Sequence, residues 1–291
     1  MILAYEANLF EMHGFFSVVI RPHHGYCSRL MPRPTSLYDV YIFDLDGTVY
    51  LGEALLPGAA KTITRLRTLG RRVLFLSNNP TRTRQEYAQR LAELGLPASA
   101  ADIVNSSSVM VDFLQRRMPG ARLFVVGESS LQEELRNGGF ALSEKATEVD
   151  AFIASFDRTF DYRKLQIAFD SIRAGARFFA TNADRYCPVP GGGQPDAAAM
   201  IAAIEACTGV SVEAVVGKPS RYMADAILAL VDLPPDRCLM IGDRLETDVL
   251  LALDHGMDAA LVLTGATTAD ELAGSSISPT YVVNSLLELL P

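Results

Sequence analysis

The sequence is poor in the two residue types that build most zinc sites. In 291 residues it has four cysteines, Cys27, Cys187, Cys207 and Cys238, and four histidines. No two cysteines form a C-x-x-C pair, and no two histidines an H-x-x-H or H-E-x-x-H. That excludes a zinc centre and a disulfide framework, and makes a reducing cytoplasm the expected setting. The adjacent His23 and His24 read as a polar loop. Basic charge is short as well: 26 Lys and Arg stand against 34 Asp and Glu, for a formal net charge of −8. A sequence-independent nucleic-acid binder would need a basic face to displace counterions, so nucleic acid is not an expected partner. Any anionic ligand must be met by a local cation. Long apolar runs are also missing. "FFSVVI", residues Phe15 to Ile20, falls far below the roughly 20 residues that span a bilayer, so no membrane partner is expected. No basic segment precedes it and no small-residue cleavage site clearly follows. Residues 1–36 are expected to be a flexible, dispensable extension, with Met31 as an alternative start. There is no internal repeat, heptad run or low-complexity tract.

What is present suits a globular α/β protein. Hydrophobic residues make up 49% and charged residues 21% of the chain, and its length allows two compact units. From Tyr38 onward, short apolar runs alternate with helical patterns, the signature of βα units and a parallel sheet. "VYIFDL" reads as the first strand. "PGAAKTITRLRTLG" follows as a helix with Pro57 inside its start and Gly70 past its end. "RRVLFLSNNP" is a second strand stopped by Pro80, and "TRTRQEYAQRLAELG" a helix with Tyr87, Leu91 and Leu94 on one face. A second block holds strands "RLFVVG", "DAFIAS" and "ARFFAT", with a helix over "DYRKLQIAFDSIRAG". The stretch from Asn182 to Asp196, rich in Pro and Gly, reads as an exposed loop. The last block returns to βα units: "VEAVVGKPS", with Pro219 as the first residue of a helix, then "RCLMIGDRLETDV" and "DAALVLTG". The tail "VVNSLLELLP" reads as a closing helix.

Four of these strands run, at their carboxyl ends, into polar sets: Asp44 and Asp46, Ser77 and Asn78, Lys218, and Asp243 with Asp248. In open parallel sheets ligands bind outside the carboxyl ends of the strands, so these sets are expected to meet. Asp44 and Asp46 point the same way along an extended backbone. Adding Asp243 crowds three carboxylates, which is costly unless a cation neutralises them. Mg²⁺ suits an all-oxygen set and keeps room for waters and a substrate phosphate. Ser77, Asn78 and Lys218 suit the equatorial oxygens of a phosphoryl group.

The four segments "DLDGT", "LSNN", "GKPS" and "GDRLETD", in this order, resemble the four motifs of the haloacid dehalogenase superfamily of phosphatases. "SNNPTRT", "FDRTFDYRKL" and "ATNADRYCPVP" are similar to the branch with NagD-like, p-nitrophenyl phosphatase-like and bacterial sugar phosphatases. Phosphoglycolate and pyridoxal phosphate phosphatases also belong there. The resemblance covers nearly all of the chain after Tyr38. It implies a Rossmann-like parallel-sheet core at residues 37–114 and 214–291, with an inserted α/β cap of the C2 type at 115–213. It implies an Mg²⁺-dependent hydrolase of small phosphorylated metabolites, a sugar phosphate or similar, working through an aspartyl-phosphate intermediate. Phosphoglycolate, nucleotide and pyridoxal phosphate are alternative substrates, and a phosphomutase or a non-catalytic phosphate binder are alternative functions.

By the same resemblance Asp44 is the nucleophile and Asp46 the general acid and base. The ion is held by the Asp44 carboxylate, the Asp46 main-chain carbonyl and the Asp243 carboxylate. Ser77 and Asn78 bind the phosphate, Asn79 either helps or stabilises the turn, and Lys218 bridges phosphate and Asp44. Asp248 either orients metal-bound waters or sits in the first turn of a helix. Gly47 gives the turn its freedom, and Thr48 is expected to hydrogen-bond locally. Asp184, Arg185 and Tyr186 lie in the loop expected to reach the site, where Arg185 is placed to meet a second anionic group. A homodimer through the cap is a further expectation.

Overall fold

The computed structural model describes residues 33–189 and 192–290. Most of the amino-terminal extension, with Cys27 and the histidine pair, therefore lies outside the described residues. The chain begins with β1 (Val40–Asp44), a hairpin of β2 (Tyr50–Leu51) and β3 (Ala54–Leu55), α1 (Ala59–Thr68), β4 (Arg72–Ser77), α2 (Arg84–Glu93), β5 (Ile103–Asn105) and α3 (Ser106–Arg117). Next come β6 (Arg122–Val126), α4 (Ser129–Asn137), β7 (Ala141–Leu142), β8 (Ala151–Ala154), α5 (Tyr162–Arg173) and β9 (Arg177–Ala180). A hairpin of β10 (Tyr186–Val189) and β11 (Gly192–Pro195), then α6 (Ala197–Thr208) and β12 (Ala214–Val215), complete that block. The remainder is α7 (Arg221–Val231), β13 (Cys238–Gly242), α8 (Leu250–Asp254), β14 (Asp258–Val262), α9 (Ala269–Gly274) and β15 (Tyr281–Val283).

Two parallel sheets result. The first has the order β15-β14-β13-β1-β4-β5 and the second β12-β9-β8-β6-β7. Every residue of β1 and β13 is buried, as expected of central parallel strands covered on both faces. Side chains alternate between two cores. Val40 and Ile42 pack with Leu74 and Leu76 on one face, Tyr41 and Phe43 with Val73 and Phe75 on the other. The first of these cores runs on, through Val109, Phe113 and Ile227, to Leu123, Val125, Ile153 and Phe179 of the second sheet. A third core, built on Phe124, Phe152 and Phe178, fills the opposite face of the second sheet. The α/β class and its Rossmann-like sheet follow from these strand orders.

The first sheet reverses direction at β1: β4 and β5 lie on one side, β13 to β15 on the other. That is the switch point at which open α/β sheets bind ligands, and Asp44 is the last residue of β1.

Four expectations need correction. β12, the strand before Lys218, pairs with β9 in the second sheet, so Lys218 reaches the site from the returning crossover and not from a strand of the first sheet. Pro219 and Pro57 both lie outside their helices: Ser220 caps α7 by accepting from the Met223 N–H, and Gly58, with φ 89°, precedes α1. Within the stretch read as a loop, Tyr186–Val189 and Gly192–Pro195 pair as antiparallel strands. The tail is a strand followed by a short 3-10 turn, Leu286–Leu289. There the β-branched Val282 and Val283 extend the sheet beside β14, while Leu286 and Leu289 fill the core under it.

Candidate active site

Asp44 and Ser77 end the neighbouring strands β1 and β4, and Asp243 follows the end of β13. Strand ends expose the last backbone groups of the ladder, so polar side chains belong there. Gly47 turns the chain back with φ 93°. The Thr264 hydroxyl donates to its carbonyl at 2.8 Å. Thr48 bonds locally through its backbone, its N–H donating to the Leu45 carbonyl at 3.3 Å, while its buried hydroxyl has no hydrogen-bond partner among the described residues.

The Lys218 ammonium lies between two carboxylates, donating to Asp44 Oδ1 and to Asp248 Oδ1 at 2.6 Å each. Asn78 fixes the backbone of that lysine: its Oδ1 accepts the Lys218 N–H at 2.7 Å and its Nδ2 donates to the Lys218 carbonyl at 3.2 Å. The same Nδ2 donates to Asp184 Oδ2 at 3.0 Å. Asp248 lies in a π-helical turn, Leu245–Val249, where Oδ2 also accepts the Arg244 N–H at 3.1 Å. Its direct ion-pair partner is thus Lys218.

Ser77 and Asn79 share a small network. Tyr87 OH donates to the Asn79 carbonyl at 2.8 Å. Its single proton spent, it accepts from the Ser77 hydroxyl at 3.0 Å. The Asn79 N–H donates to Ser77 Oγ at 3.1 Å. Asn79 Oδ1 accepts from both the Thr81 N–H and the Thr81 hydroxyl, which is the turn-stabilising alternative of the two expected for it. Tyr87 reads in the sequence only as one apolar position of a helix face, so its hydroxyl gave no signal.

Asp44, Asp243 and Asp248 each offer an oxygen within 4.8 Å of the others. Space for these carboxylates is made by glycine. A Cβ at Gly47 or Gly265 would run into the Asp243 carboxylate, and one at Gly242 into that of Asp248. Burial raises the Asp44 carboxyl well above its usual range; Lys218 opposes this, and Asp248 and Asp243 add to it. Asp243 is pushed up to about 6, by burial first and then by Asp248. For Lys218, burial works against the charge, but Asp248 and Asp44 outweigh it and hold the ammonium protonated. With all three carboxylates ionised, one ammonium would leave two negative charges, which burial resists. A divalent cation with oxygen ligands would cancel them, so the residues present fit Mg²⁺. Asp46 is half-buried beside this set, and its carboxylate is not one of the three. Burial raises it, against Arg82, Arg90 and Lys218.

The pocket enclosed by these groups has a volume of about 50 Å³ and is lined by Asp44, Asp46, Ser77, Asn78, Asn79 and Lys218, all expected, together with Asp184 and Tyr186. Cys187, Asp196, Arg244 and Thr247 complete it and were not read as site residues. Arg244 stands inside the quoted "GDRLETD", and Asp196 is the N-cap before an alanine-rich helix, so local signals existed for both. Arg185 is exposed and lines the wider cleft outside, not this pocket. Cys187 is pushed up to about 11, chiefly by burial, and so carries a neutral thiol.

Asp196 is pushed up to about 6 by burial, although the Ala197 N–H and Asn182 favour its charge. A carboxyl with a raised folded pKa contributes nothing below the unfolded value, and it destabilises increasingly as pH climbs from about 4 to 6. Asp196→Asn is therefore expected to gain stability over the wild type as pH rises. The gain should be on the order of 2–3 kcal/mol above pH 7 and near zero at pH 4, by about 1.4 kcal/mol per pKa unit. Denaturant melts at the two pH values check this.

Comparison with known proteins agrees with the geometry. A model of haloacid dehalogenase-like hydrolases matches residues 41–141, and one for HAD-like hydrolases matches residues 215–289. The chain is 38% identical over 248 residues to the sugar phosphatase AraL of Bacillus subtilis, covering 85% of this chain and 90% of that protein. A 4-nitrophenylphosphatase from Thermotoga maritima superposes with a TM-score of 0.83 at 33% identity, over 87% of this chain and 96% of its own. A glycerol phosphate phosphatase from Mycobacterium tuberculosis, solved in complex with magnesium, gives 0.80 at 32% identity, over 87% and 76% of the two chains. With strand order, motif positions and these relatives in agreement, the chain belongs to the haloacid dehalogenase-like hydrolases.

Proposed function

We propose that this protein is an Mg²⁺-dependent phosphatase that hydrolyses small phosphate monoesters, sugar phosphates first among them. The supporting observation is the meeting of Asp44, Asp46, Ser77 and Lys218 around one phosphoryl-sized pocket, with Asp243 in one carboxylate cluster with Asp44. Asp44 attacks phosphorus, and the bond to the leaving oxygen breaks as the Asp–phosphorus bond forms. Asp46 gives that oxygen its proton. Water then attacks the phosphorus of the aspartyl phosphate, Asp46 takes the water's proton, and Asp44 is restored with release of inorganic phosphate. A carboxyl raised by burial is suited to both transfers near neutral pH. Lys218 favours the ionised form of Asp44 and offers positive charge to the phosphoryl oxygens; Asn78 holds the Lys218 backbone in place, and the Ser77 hydroxyl lines the same pocket. Magnesium, when held by Asp44 and Asp243, with the Asp46 carbonyl as a third oxygen, neutralises charge on the phosphoryl group.

In the same reading residues 115–213 act as the cap that selects the leaving group over a core of 37–114 and 214–291. The relatives named sugar phosphatase and acid sugar phosphatase are the reason for placing sugar phosphates first. A homodimer through the cap belongs to this reading too. What speaks for it is the apolar surface that the cap exposes at Tyr162 and Val210. Among the described residues no helix is long and apolar enough to cross a membrane.

A panel of phosphate monoesters assayed with Mg²⁺ for released phosphate tests the function. Turnover of at least one sugar phosphate is expected, falling to background in excess EDTA and returning with added Mg²⁺. Activity that survives EDTA would remove the metal from the mechanism.

A further inference from the structure

Resting on the phosphatase reading, and narrowing its sugar phosphates to those that carry a second anion, we propose that Arg244 selects the substrate by pairing with that anionic group, a carboxylate or another phosphoryl group, on the leaving part of the ester. The argument starts from space. A buried water needs about 10–15 Å³ by the same kind of measure, so the inner pocket of about 50 Å³ has room for a phosphoryl group but not for a whole metabolite. Beside it lies a cleft of about 660 Å³. The two share Asp184, Tyr186, Lys218, Arg244 and Thr247, so a leaving group bound with its phosphate inside must pass over these residues.

Of the charged groups at that junction, two are already engaged. Asp184 accepts from Asn78 and Asn182 at 3.0 and 2.9 Å. Lys218 is spent on Asp44 and Asp248. The Arg244 guanidinium is half-buried and, among the described residues, makes no ion pair or side-chain hydrogen bond; it lies over the Tyr186 ring at 5.7 Å. Burial works against its charge, while Asp184, Asp243, Asp44 and Asp248 favour it without reaching pairing distance. Asp243 is itself committed to the Ala266 N–H at 2.6 Å. Arg185, exposed on the wall of the wide cleft, adds a second cation on the path. A planar fork of five donors matches a carboxylate or phosphoryl group with two parallel bonds, whereas a neutral polyol would leave the charge uncompensated. The cation–π contact with the Tyr186 ring limits the entropy lost when the fork engages.

The test uses the full chain with Mg²⁺ and three esters on one carbon skeleton: glycerol 3-phosphate, 3-phosphoglycerate and glycerol 1,3-bisphosphate. The readout is the ratio of kcat/KM for each acidic ester to that for glycerol 3-phosphate, in the wild type, Arg244→Ala and Arg244→Lys. Wild type is expected to favour at least one acidic ester, and the larger ratio identifies carboxylate or phosphoryl as the partner. Arg244→Ala should cut that ratio by roughly tenfold to a hundredfold, the range for loss of a charged hydrogen bond, mainly through KM. Arg244→Lys should recover part of it. The inference is overturned if wild type prefers the neutral ester, or if Arg244→Ala lowers all three esters by the same factor, which would make Arg244 a ligand of the transferred phosphoryl group. Absence of turnover on all three in wild type would overturn the inference, and absence on the sugar-phosphate panel as well would sink the phosphatase reading.

Discussion

Asp44→Asn is expected to lower phosphate release by about 10⁴-fold or more, the scale seen when a covalent nucleophile is removed, while leaving the fold intact. The amide keeps an oxygen in the place of the Oδ1 that Lys218 now meets at 2.6 Å. Lys218 also retains Asp248 at 2.6 Å. Burial disfavours the ionised form of Asp44 more than any single neighbour favours it, so a neutral amide there costs little stability. The checks are single-turnover phosphate release with saturating Mg²⁺ and a thermal melt. A variant within tenfold of wild type would remove Asp44 from the bond-making step.

Lys218→Met should damage both activity and stability, and for one reason. The ammonium is the direct ion-pair partner of both Asp44 and Asp248, all three nearly sealed from solvent. Breaking a buried ion pair by deleting one partner leaves uncompensated charge, at about 3–5 kcal/mol. For a chain of this size that corresponds to a fall in Tm on the order of 10 °C. Activity should fall by at least 10³-fold, since both the ionised state of Asp44 and the positive charge beside the phosphoryl group are lost. A melt near the wild-type Tm would mean that the two carboxylates take up protons at little cost, and that Lys218 does not hold the cluster together.

The contrast between these two substitutions explains which parts of the molecule the sequence discloses. Strands β1, β4 and β13 are buried on both faces, so each reads as a near-continuous apolar run that stops at a polar residue, and the stops at Asp44, Ser77 and Asp243 mark the site directly. Lys218 was legible as a residue but not in its placement. β12 is two residues long, and nothing in so short a run says which sheet it joins. The hairpin from Tyr186 to Pro195 was hidden by its composition, because proline and glycine suggest loops by local preference while pairing is decided by the partner strand. The tail misled through its leucines, whose helical spacing did not outweigh the β-branched residues that complete the sheet edge. Asp196, Tyr87 and Arg244 stand in a helix cap, a helix face and the fourth motif, but their places in the site come from partners brought by the fold: Asn182 for Asp196, Ser77 and Asn79 for Tyr87, and the Tyr186 ring for Arg244. Asp248 shows the limit most clearly, since neither of its two expected tasks included the ammonium it touches.

The covalent role of Asp44 is tested most directly by trapping. Enzyme and substrate are mixed with Mg²⁺, quenched in acid within a turnover, reduced with borohydride and digested for mass spectrometry. Reduction of an acyl phosphate converts its aspartate to homoserine, and the expected result is homoserine at position 44 alone. Homoserine at another carboxylate, with position 44 unaltered, would contradict it.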